Sequence, residues 1–132
     1  MLTETLLRDA ESVRTQLTAA VRDLELAMER ESLTRRAYAA AKQDYGDAEA
    51  EIQFELVHTS DGKNAEARKA QVDVGLIRAR NEGALRKEWA RMLTTQTEAD
   101  DAKLALDQAT RRYRAVEAVA ELTTAMLRSL SR

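Results

Sequence analysis

The sequence predicts an all-α protein: a long antiparallel helical hairpin, coiled-coil-like in its packing, completed to a helical bundle by dimerisation. Three observations predict it. The 132 residues hold no proline, no cysteine and only four glycines, so the dense turns of a β-sandwich or barrel have nothing to be built from. Ala, Leu, Glu and Arg dominate, as in long helices. Apolar residues recur at alternating spacings of four and three, with one strong breaker near the middle of the chain.

The length allows a single domain, residues 1–132. Its first helix is expected over about 3–57. Leu6, Ala10, Val13, Leu17, Ala20, Leu24 and Ala27 form its inward stripe. The same register resumes after Glu31 and Thr34 with Tyr38, Ala41, Tyr45, Ala48 and Ile52. The turn is expected over 58–64, where Asp61-Gly62 supplies a turn signal because glycine adopts positive φ at little cost. Asn64 reads as the N-cap of the second helix, with Glu66 placing negative charge in its first turn.

The second helix is expected over about 65–130. Ala67, Ala70, Val74, Ile77, Ala84, Ala99, Ala102, Leu106, Ala109, Tyr113, Val116, Ala120, Leu127 and Leu130 fit one heptad stripe, interrupted by Asn81, Glu88, Thr95 and Thr123. Gly46, Gly75 and Gly83 are candidate bends. Thr95-Gln96-Thr97-Glu98 has the form of a capping box, where a helix can stop and restart, although such strings also occur by chance inside continuous helices. The many alanines imply close helix approach and a thin core.

Charge supports the antiparallel return. Asp44 to Asp61 carries six acidic residues and no Lys or Arg, whereas Lys63 to Arg91 is mainly basic. Glu4, Asp9 and Glu11 are expected near Arg111, Arg112 and Arg114 at the far end. Each exposed pair is worth only about 0–1 kcal/mol, so the arrangement matters more than any one pair. The longer second helix leaves its last turns as an overhang bearing Leu122, Met126, Leu127 and Leu130. Together with Trp89 these are the candidate self-association residues, because exposed apolar side chains at helical spacing mark an interface. Phe54 is a further candidate anchor, and a preferred dimer would supply the missing core.

Catalytic chemistry is poorly supplied. There is no cysteine, and the single histidine, His58, lies at the turn. Ser60, His58 and Asp61 are too close along one turn to form a nucleophilic relay. Gly62-Lys63 lacks the remainder of a phosphate loop. Glu55-Leu56-Val57-His58 has the Glu-x-x-His spacing of di-iron bundles, but at a helix end where solvent competes. The expectation is a non-enzymatic protein with no catalytic, cofactor or metal site.

Two other functions compete with protein binding. Sixteen of the 21 basic residues are arginine, and Arg111, Arg112, Arg114 and Arg128 make the C-terminal segment a candidate nucleic-acid contact. The near-balanced formal charge of -2 argues against a general nucleic-acid coat. Tyr113 to Glu117 matches the Tyr-x-x-x-Asp/Glu spacing of type VII-secreted helical hairpins, as does Tyr45 to Glu49, while the Trp-x-Gly turn of those proteins is absent. No signal peptide and no apolar run of membrane-spanning length is visible, so a cytoplasmic location is expected.

The order of features combines a long charged helix, Asp61-Gly62-Lys63-Asn64-Ala65-Glu66-Ala67-Arg68-Lys69-Ala70, a Tyr113-Arg114 element and a closing Leu127-Arg128-Ser129-Leu130. This layout resembles small helical-hairpin proteins of unknown function encoded by tailed bacteriophages and prophages. The resemblance implies an accessory role in the host cytoplasm, through an unidentified protein partner linked to replication, recombination or host defence. It carries over no catalytic residue.

Overall fold

The computed structural model describes residues 2–131. Three helices account for nearly all of them: α1 (Leu2–Thr59), α2 (Ala65–Asn81) and α3 (Arg86–Leu130). No strand occurs among the described residues. The chain clusters into two compact units. One takes the chain up to Ser32 and from Asp100 on; the other is Leu33–Ala99.

Along α1 the expected stripe is the sheltered face: Leu6, Ala10, Val13, Leu17, Ala20, Leu24, Ala27, Tyr38, Ala41, Tyr45, Ala48 and Ile52 are all buried or half-buried. α1 passes through Gly46 without a break. Along α3 the stripe from Ala99 to Leu127 is likewise sheltered. Leu130, expected to continue it, is exposed. The Thr95–Glu98 string does not interrupt α3. Thr95 and Thr97 donate their hydroxyls to the carbonyls of Arg91 and Leu93, four residues back, and so bond within the helix instead of capping a new one.

The turn is built by two side chains. Asn64 is extended (φ -143°, ψ 173°), and its Oδ1 accepts from the Ala67 N–H at 2.8 Å, the cap expected from sequence. Gln71 holds the loop to α2: its Oε1 accepts from the N–H groups of Asp61 and Gly62, and its Nε2 donates to Asp61 Oδ1. Gly62 has no positive φ, contrary to the reason expected for it. Its place is required by space instead, because a Cβ there would meet Arg68 N at 2.7 Å and the Ala67 carbonyl carbon at 2.9 Å.

The expected second helix is divided in two at 82–85. Gly83 N–H and Leu85 N–H both donate to Ala79 O, and Arg86 N–H then bonds to Gly83 O, so the ladder loses its regular spacing and restarts. The break changes the helical phase. On α2 the sheltered residues are Val72 and Leu76, with Ala79 beside them, whereas Ala70, Val74 and Ile77 of the expected stripe are exposed. Leu85, which ends the break, and Trp89 and Met92 of α3 return to the inward face.

Candidate functional site

Within the 33–99 unit the break gathers one polar–aromatic cluster. Tyr45 comes from α1, Arg80 from the last turn of α2 and Trp89 from the first turns of α3. Tyr45 and Trp89 have ring centroids 5.1 Å apart at 51°. The Arg80 guanidinium lies 5.0 Å from the Trp89 centroid and 5.8 Å from that of Tyr45. Arg80 Nε donates to the Tyr45 hydroxyl oxygen, and Nη2 lies 3.3 Å from Glu49 Oε2. Burial, and then the hydrogen bond with Glu49, push the Tyr45 phenol above its ordinary value. The hydrogen bond to Tyr45 is the main cause that holds Arg80 more firmly protonated.

This cluster is a clamp: it ties α2 and α3 to α1. Trp89, expected at a self-association contact, packs inside its own unit against Tyr45 and the buried core of Val72, Leu76 and Leu85. Beside it Arg91 pairs with Asp44 at 2.8 Å. Glu88, read from sequence as an interruption of the stripe, leaves Oε2 buried with no hydrogen-bond partner among the described residues.

At the turn each candidate catalytic group bonds elsewhere. Ser60 Oγ donates to Val57 O, His58 Nδ1 lies 3.1 Å from Phe54 O, and Asp61 is held by Gln71. His58 stacks on Phe54, with centroids 4.1 Å apart, and Phe54 is exposed. No group of three or more His, Asp or Glu that could hold a metal occurs among the described residues.

In the other unit, Arg112 Nη1 lies 3.3 Å from Asp23 Oδ2. The expected neighbours Glu4, Asp9 and Glu11 belong instead beside the last turns of α3. Leu2 and Leu6 line one groove with Met126, Ser129 and Leu130, and Ala10, Val13 and Leu17 line another with Ala120, Thr123 and Leu127. The expected overhang is therefore absent. α1 spans 58 residues, and the expected second helix is divided into helices of 17 and 45. Leu127 is half-buried against α1, whereas Leu122, Met126 and Leu130 are exposed. Arg111, Arg114 and Arg128 are exposed. Tyr113 lies on the half-buried face, and its phenol is raised chiefly by a hydrogen bond with Glu117.

No family model, curated protein or solved structure matches the chain. No helix among the described residues is long and apolar enough to cross a membrane. Sequence reasoning missed Gln71, Arg80 and Leu85. The candidate bend at Gly83 is the only local signal near the last two, and a bend alone does not show that a phase change brings Arg80 and Leu85 to one place.

Proposed function

We propose that this chain is a non-enzymatic interaction protein, a helical hairpin that self-associates, preferably as a dimer, into a coiled-coil-like bundle. One observation carries the reading. In the unit formed by the two chain ends, alanines alone are buried among the described residues, Ala20 and Ala102. Leu122, Met126 and Leu130 are exposed, and Met126 and Leu130 share a groove with the exposed Leu2. Two helices have no enclosed interior, so larger side chains are covered only when further helices are added. A second copy supplies them.

Sedimentation velocity tests the reading. The full chain should sediment as a dimer, and Leu122→Glu with Met126→Glu should reduce the mass to that of one chain without loss of helicity. A wild-type monomer at all concentrations refutes it. Point substitutions are preferable to truncation after Glu121, which would also remove the contacts of Leu127 with α1.

Beyond self-association, the layout resemblance supports an accessory protein of tailed phages or prophages, acting on a protein of replication, recombination or host defence. A second reading, direct nucleic-acid binding, draws support from the exposure of Arg111, Arg114 and Arg128. It is weakened by the engagement of Arg112 with Asp23 and of Tyr113 with Glu117. Salt-dependent retardation of DNA, lost when Arg111, Arg114 and Arg128 are replaced by alanine, would favour it.

A further inference from the structure

α2 has two apolar faces. Val72, Leu76 and Ala79 pack into the core, with Gly75 so close to α1 that a Cβ would meet Leu56 at 2.7 Å. At about 100° per residue, Ala70, Val74, Ile77 and Asn81 fall roughly opposite. All four are exposed, Val74 at 54% and Ile77 at 55%. A surface helix normally carries one apolar stripe, and a second one at heptad spacing is a seam without its partner.

The geometry points to a second copy of this chain as that partner, its α2 lying parallel and in register against this one. This deepens the self-association proposed above by placing part of the contact on α2. The flanking charges choose the arrangement. With Val74 and Asn81 at a positions and Ala70 and Ile77 at d positions, Asp73 falls at g and Arg78 at the following e. In a parallel pair Asp73 of each copy meets Arg78 of the other, twice by symmetry. Neither residue has an ion pair within the chain among the described residues. Asn81 meets Asn81, a buried amide pair that fixes register. The antiparallel alternative that keeps Val74 against Ile77 sets Asn81 opposite Ala70 with no polar partner and Arg78 opposite Gln71. It would also need Arg80, which Tyr45 and Glu49 already hold.

The chain has no cysteine, so introduced ones report without background. Full-length Asn81→Cys should form a covalent dimer under mild oxidation, and Lys69→Cys, off the seam, should not. Val74→Glu with Ile77→Glu should halve the mass in sedimentation while circular dichroism stays that of the wild type, since both side chains are exposed in the single chain. Four results would overturn the proposal. They are dimer mass retained by Val74→Glu/Ile77→Glu, equal cross-linking of Lys69→Cys, no Asn81→Cys cross-link in a dimeric protein, or cross-linking of Asn81→Cys only with Ala70→Cys in a mixture. Dissociation by Leu122→Glu/Met126→Glu but not by Val74→Glu/Ile77→Glu overturns this contact and leaves self-association standing. A monomeric wild type overturns both.

Discussion

Leu85→Ala is the substitution that tests the helix break most directly. Leu85 is 0% exposed and is the one fully buried side chain larger than alanine among the described residues. It is the last residue of the break and packs with Tyr45, Val72 and Leu76. Truncation removes three carbons, about 2 kcal/mol of transfer free energy at ~0.8 kcal/mol per methylene. A residual cavity adds to this, giving about 2–5 kcal/mol for such sites. Val72 and Leu76 are buried but less completely enclosed than Leu85, at 8% and 9% exposed, and can settle inward, so about 3 kcal/mol is expected. Urea denaturation followed at 222 nm, at one fixed protein concentration so that association contributes equally, measures the loss. Leu93→Ala, at an exposed position on the same helix, is the control and should cost under about 0.5 kcal/mol. A Leu85→Ala loss below about 1 kcal/mol, or one equal to the Leu93→Ala loss, would refute the assignment of Leu85 as the anchor that restarts the fold after the break.

Gly46→Ala should stabilise the protein by about 1 kcal/mol, because Gly46 lies mid-helix with nothing within 4 Å of a built Cβ; a lowered melting temperature would contradict this. Gly62→Ala should destabilise it, since the new methyl meets backbone atoms that cannot move aside, and the same melting comparison checks the opposite sign. Glu88→Met should raise stability by about 1 kcal/mol in urea by removing a buried carboxylate oxygen without a partner; a loss instead would show that the oxygen is satisfied. The Tyr45 phenol is raised in the folded state, so the folded chain holds this proton more tightly than the unfolded chain. Its contribution is fully present below pH ~10 and is lost as pH rises through the folded-state value. An alkaline melting series should therefore decline above pH ~10, and Tyr45→Phe should flatten that part of the decline; an unchanged slope would rule Tyr45 out as its source.

The helical class, the inward faces of α1 and most of α3, the position of the turn and the Asn64 cap are all legible in the amino-acid order. They obey local rules: side chains three and four apart share a helix face, and an Asn oxygen reaches the N–H three residues on. Gly62 is legible as a turn residue, but the structure replaces the reason, with close approach instead of handedness. Periodicity fails on α2 because two apolar stripes share that helix, Ala70-Val74-Ile77 and Val72-Leu76-Ala79, and spacing alone does not say which one meets α1. Tertiary contact decides it. Gly75 lets Leu56 close against α2, and the irregular bonds at 82–85 rotate the chain enough for Leu85 and Trp89 to join Val72 and Leu76 around Tyr45. The same choice leaves Val74 and Ile77 facing water. The surface assigned to a second copy is thus the stripe that the heptad pattern alone would place inside.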